Sequence, residues 1–143
     1  MTITLNSSGL TMEQVVEVAR GGAKIEISKE ALEKMAATRA HIETLAKAEV
    51  PVYGISTGFG ALAHQHIAPE DRVQLQKSLI RSHAAGMGDP VEKEVVRALM
   101  LLRIKTLVSG RTGVRPELAT TYADLLNANI TPCLLYTSPS PRD

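Results

Sequence analysis

Tyr53-Gly54-Ile55-Ser56-Thr57-Gly58-Phe59-Gly60 interrupts a chain that elsewhere follows helical periods. Aromatic residues are scarce, with three Tyr, one Phe and no Trp in 143 residues. Two of those four nevertheless share one short loop carrying Gly54, Gly58 and Gly60. So many glycines mean a backbone that turns tightly or lets another group approach closely. A tyrosine on such a loop can be aimed at a ligand instead of being buried. Farther along, Ser82-His83-Ala84-Ala85-Gly86 places a histidine beside small residues that leave room around its ring.

Regular structure is expected on both sides of the loop. Thr11, followed three positions later by Gln14, is a capping-box pattern and predicts a short helix through Ala19, stopped by Gly21 and Gly22. Lys24-Ile25-Glu26-Ile27 alternates charged and apolar residues, which predicts a strand that pairs with Ile3-Thr4-Leu5. Ser28 is placed to cap a long helix to about Ala48, with Leu32, Met35, Ile42 and Leu45 on one apolar stripe. Residues 49–68 show no period. Pro69 suits the first position of a third helix ending near His83, with Val73, Leu75, Leu79 and Ile80 as its apolar residues. Asp89-Pro90 reads as the start of a fourth helix running to Ser109. Its apolar residues, from Val91 and Val95 to Ile104 and Leu107, fill more than one stripe, so burial on most sides is expected. A last helix is expected from Pro116 to Ala128, with Leu118, Tyr122, Leu125 and Leu126 inward. The fold class is mainly α with a minor β element, in a single domain over residues 1–132.

Composition narrows the function classes. With 44% hydrophobic and 22% charged residues and a net charge of +1, the chain suits one soluble globular unit. Near-neutral charge gives no electrostatic reason to expect nucleic acid or an anionic membrane as partner. The N-terminus shows no signal-peptide pattern, and Arg97, Arg103 and Lys105 interrupt the most apolar run, so a cytoplasmic location is expected. One Cys excludes an internal disulfide framework. Residues 133–143 differ from the rest. They hold the only Cys and a Ser-Pro-Ser-Pro run, follow no helical or strand period, and resemble a translated sequencing adapter. They are expected to be a non-native tail on the N-terminal piece of a longer protein.

Two uses of Tyr53 stand side by side: a base aimed from the loop, or a ring packed on a helix with its hydroxyl in water. A free phenol has a pKa of about 10, so the first use needs surroundings that favour phenolate. His83 reads either as a group that bonds a polar ligand ring or as a helix C-terminal histidine interacting with the dipole. His64 and His66 lack further ligands at a familiar metal spacing, so no metal is expected. Arg111 and Arg115 are open to two readings, a carboxylate clamp or positive charge after a helix C-terminus.

Together the octapeptide, Ser82-His83-Ala84-Ala85-Gly86 and Ser109-Gly110-Arg111-Thr112-Gly113-Val114-Arg115 resemble the aromatic amino acid ammonia-lyase family, in family order across residues 3–132. The resemblance implies the N-terminal helical domain of the ammonia-lyase (aspartase/fumarase-like) fold and a homotetrameric parent. It implies a small amino acid as substrate and a methylidene-imidazolone cofactor formed from Ala-Ser-Gly or Cys-Ser-Gly. It makes Tyr53 the base that takes a proton from the substrate's β carbon. Gly54, Thr57, Gly58, Phe59 and Gly60 become the active-site loop, and His83 the contact to the substrate ring. A histidine there, followed by two alanines, resembles the histidine-specific branch, which converts L-histidine to trans-urocanate. Tyrosine-specific relatives also place His there, so a tyrosine ammonia-lyase or aminomutase is the alternative. A small helical binding module is the alternative from another class. Neither cofactor tripeptide occurs in this sequence, so the chain alone is expected to be inactive.

Overall fold

The computed structural model describes residues 1–137. The elements run β1 (Thr2–Leu5), α1 (Met12–Ala19), β2 (Lys24–Ile27), α2 (Lys29–Leu45), α3 (Arg72–His83), β3 (Met87–Pro90), α4 (Lys93–Val108), α5 (Pro116–Asn127) and β4 (Leu135–Thr137). Single 3-10 turns at Gly60–Leu62 and Pro69–Asp71 punctuate the long loop before α3.

The capping box forms in both directions: the Gln14 amide donates to Thr11 Oγ1, and the Thr11 amide donates to Gln14 Oε1. Ser28 caps α2 through the Ala31 amide at 3.2 Å. β1 and β2 pair in parallel, Thr2 opposite Lys24 through Leu5 opposite Ile27, joined by α1. Alternation turns Ile3, Leu5 and Ile25 into the core, where they meet Val18, Met35, Val96, Leu101, Ile104, Val108, Ala119 and Leu126. α4 lies at the centre, against α1, α2 and α5.

Polar groups tie this body together at helix ends. Asn127 completes the free edge of β2 as a strand would: the Ile25 amide donates to Asn127 Oδ1 and Asn127 Nδ2 donates to the Ile25 carbonyl, both at 2.8 Å. Arg97 is buried with no carboxylate partner among the described residues. Its guanidinium donates to the carbonyls of Val18 and Leu126 and to Asn129 Oδ1. Those carbonyls belong to the last turns of α1 and α5, where backbone acceptors are left over and the dipole favours a cation. Gly113 (φ 69°) carries the α4–α5 turn past α2, and a Cβ there would sit 2.4 Å from Ile42 Cγ1. The Ser109–Arg115 motif therefore serves packing as well as any chemistry.

Several expectations are corrected. α4 starts at Lys93 with Glu92 as its cap, not at Asp89-Pro90. Residues 87–90 are drawn into an extended pairing with Leu135–Thr137, and the Val91 amide donates to the Leu134 carbonyl at 2.7 Å. The lack of period in residues 133–143 gave no sign of that pairing, and residues 138–143 lie outside the described residues. α4 is also not buried on most sides: Val95, Leu99 and Leu102 stay 42–47% exposed, because its partners cover one face. On α5 Leu126 is buried and Tyr122 and Leu125 pack against the core as expected, joined by Ala119 and Ala123, while Leu118 faces out. α2 ends at Leu45, three residues before the expected end.

Candidate active site

The octapeptide forms a loop held by its own small polar side chains. Val52 donates its amide to Ser56 Oγ at 2.9 Å, and Gly54 donates to Thr57 Oγ1 at 3.3 Å. Ser56 and Thr57 are buried. Thr57 bridges to His66, the Ile67 amide donates to the Ser56 carbonyl, and the Gly58 amide donates to the Gln65 carbonyl. Gly54 and Gly60 take the left-handed backbone. Gly58 is required for a different reason. A Cβ on it would lie 2.5 Å from Leu62 Cβ, so the 3-10 turn could not close onto the loop.

This frame presents Tyr53 outward. The residue is 63% exposed, and its ring meets Phe59 edge to face, with centroids 6.0 Å apart and planes at 82°. That is a favourable aromatic geometry. Phe59 thus braces the Tyr53 ring and leaves its hydroxyl free of protein partners among the described residues. Ser56, which carries the loop's internal bond, was not singled out from sequence. A serine among glycines was the available signal.

His83 sits in the last turn of α3, in solvent. Its Nδ1 lies 2.9 Å from the Leu79 carbonyl and 3.0 Å from Ser82 Oγ, and Ser82 donates to the same carbonyl at 2.8 Å. Among the described residues no hydrogen bond or ring contact joins His83 to Tyr53. A cleft of about 800 Å³, lined by Glu43, Lys47, Glu49, His66 and Arg72 among others, includes neither residue. Arg72, one of its lining residues, donates to the carbonyls of Ala46 and Ile67. Arg111 and Arg115 make no ion pair among the described residues, and no cluster of three or more His, Cys, Asp or Glu side chains there could hold a metal. No helix described is long and apolar enough to cross a membrane.

Such a helical body with an aromatic, glycine-rich loop ahead of α3 has the fold of the N-terminal region of ammonia-lyase and aminomutase chains. Tyrosine aminomutase from Streptomyces globisporus superposes with a TM-score of 0.89 at 32% identity, over 94% of this chain and 26% of that one. Histidine ammonia-lyase from Trypanosoma cruzi gives 0.80 at 36%, over 90% and 24%. The pattern that defines the aromatic amino acid lyase family matches residues 10–137, and the chain belongs to that family. It is 60% identical over 131 residues to histidine ammonia-lyase of Streptomyces coelicolor, a match covering 92% of this chain. The chain spans about a quarter of the length of the curated relatives it matches.

The residues present do not fit the electrophilic cofactor of ammonia-lyases. No Ala-Ser-Gly or Cys-Ser-Gly occurs. The two Ser-Gly steps follow Ser7 and Val108, and the Ser109 hydroxyl is committed to the Thr106 carbonyl at 2.7 Å.

Proposed function

We propose that this chain is the N-terminal quarter of a histidine ammonia-lyase, whose complete form eliminates ammonia from L-histidine to give trans-urocanate. The observation that carries this reading is the 60% identity to the Streptomyces coelicolor enzyme through the segment that holds the tyrosine loop and His83. In this reading the complete protein is a cytoplasmic homotetramer, and the part of the parent beyond this chain supplies the methylidene-imidazolone. What this chain contributes is a base and a ring contact. The β C–H bond of an amino acid is weakly acidic, so a base must be held in line with it. Tyr53 takes that proton at its phenolic oxygen. The internal bonds of Ser56 and Thr57 fix the loop while leaving that oxygen outward. His83 meets the imidazole of the substrate. Water is excluded by the rest of the parent closing over the loop, since Tyr53 is open to solvent in this chain.

The likeness to a tyrosine aminomutase supports a second reading, in which the same two residues serve a tyrosine substrate. A chimera separates them: residues 1–132 replace the matching segment of the Streptomyces coelicolor enzyme, and histidine, tyrosine and phenylalanine are assayed. Histidine is expected to turn over fastest, and Tyr53→Phe to lower kcat by about 10²–10⁴. Faster release from tyrosine would move the assignment to the second reading. A folded chimera inactive on all three would leave a helical binding module. Residues 1–143 alone are expected to yield no urocanate.

A further inference from the structure

The end of α3 carries a small polar arrangement around His83 whose other two members, Leu79 and Ser82, have no role in the lyase reading. Leu79 O, Ser82 Oγ and His83 Nδ1 form a triangle with sides of 2.8, 2.9 and 3.0 Å. A carbonyl oxygen only accepts. If the imidazole proton sat on Nε2, the Nδ1 lone pair and the Leu79 carbonyl would face each other at 2.9 Å, with the single Ser82 hydrogen to share between them. With the proton on Nδ1, each contact is satisfied. Nδ1–H donates to the Leu79 carbonyl and leans toward Ser82 Oγ, and the Ser82 hydroxyl donates to the same carbonyl.

We infer that Leu79 and Ser82 hold His83 in its Nδ1–H tautomer, so that Nε2 is offered to the substrate as a hydrogen-bond acceptor. His83 Nε2 has no protein partner among the described residues and the side chain lies in solvent. The class of group it recognises is then a ring N–H or O–H, as imidazole and phenol supply and phenyl does not. A phenyl ring would leave the acceptor desolvated and unpaired, which is how a site rejects an analogue that lacks the matching hydrogen. Ser82 acts through His83 and is a positioning residue. Only the substrate half of this inference rests on the lyase reading.

The test is the tautomer itself, read in the whole chain without substrate. Long-range 1H–15N correlation at about pH 9, well above the ordinary imidazole range near 6.5, distinguishes a protonated from an unprotonated ring nitrogen. The His83 signals are assigned by their loss in His83→Gln. Nδ1 is expected to be the protonated nitrogen, the reverse of what an unconstrained imidazole side chain favours. Ser82→Ala is expected to lower the Nδ1–H to Nε2–H ratio by less than about fivefold, because the Ser82 hydroxyl has an acceptor in either tautomer and only the lean of Nδ1–H toward Oγ belongs to one of them, and Ser82→Thr is expected to restore it. A predominantly Nε2–H ring in the unaltered chain overturns the inference. An unchanged ratio in Ser82→Ala removes Ser82 from it. Because no turnover is measured, these failures are distinct from a failure of the histidine ammonia-lyase reading, which the chimera reports.

Discussion

The packed body and the segment that carries the candidate site residues are held by different physics. In β1, β2, α1, α4 and α5, apolar side chains meet in one core, and buried polar groups such as Arg97 are satisfied by helix-end carbonyls. Residues 46–92 bury Ser56, Thr57 and Gly58 and no large apolar side chain. α3 rests mainly on the 3-10 turn that precedes it, and its Val73 and Ile80 are 65% and 70% exposed. Tyr53 and His83 therefore ride on the part of the chain held by local hydrogen bonds. Functional segments are commonly drawn from the less stable end of a structure.

The largest effect belongs to the body. Leu101 is fully buried on α4, so Leu101→Ala is expected to lower global stability by about 2–5 kcal/mol. Urea unfolding followed by circular dichroism measures it. A loss below about 1 kcal/mol would mean that the α4 site collapses without a cavity, contrary to close packing. Arg97→Ala strips donors from two buried carbonyls, each worth roughly 1–3 kcal/mol when left unsatisfied, and from the amide oxygen of the exposed Asn129. Water entering the space reduces that, so its cost is expected to fall below the Leu101 change.

Much of the body was legible in the sequence, because its signals are local. Thr11 with Gln14, Ser28 ahead of α2, and the alternation in Lys24–Ile27 each specify a structure within a few residues. What could not be read was how many faces of a helix would be covered. Val95, Leu99 and Leu102 have the same composition as their buried neighbours, and only the arrangement of α1, α2 and α5 decides which are left out. Arg97 looked like an interruption of an apolar run, since the helix ends that need its donors lie far away in sequence. The site divides in the same way. Two rare aromatics on one glycine loop announced the Tyr53–Phe59 pair, whereas the contact of His83 with the Leu79 carbonyl depends on side-chain geometry in the last turn of α3.

A middle-sized effect probes the boundary between the two regions. Ser56→Ala deletes the acceptor for the Val52 amide, a loss of about 1 kcal/mol. It is expected to speed amide exchange through residues 52–67 while leaving the global unfolding midpoint in place. A midpoint that falls by the full amount would show the loop and the body unfolding as one unit, and the contrast between them would be lost.

The smallest effect is expected on α3, and its smallness carries the argument. Ile80 gives up little water on folding here, so Ile80→Ser is expected to change the stability of this chain by no more than about 0.5 kcal/mol. In the chimera the same substitution is expected to be destabilising. The reason is that Val73 and Ile80 lie seven residues apart on one helix face, the spacing of a stripe made to be covered. A difference between the two backgrounds would show that the position of His83 is set by the remainder of the parent enzyme. Equal, negligible effects in both would mean that α3 stays solvated in the complete enzyme, and that its last turn holds His83 through the Leu79 and Ser82 bonds alone.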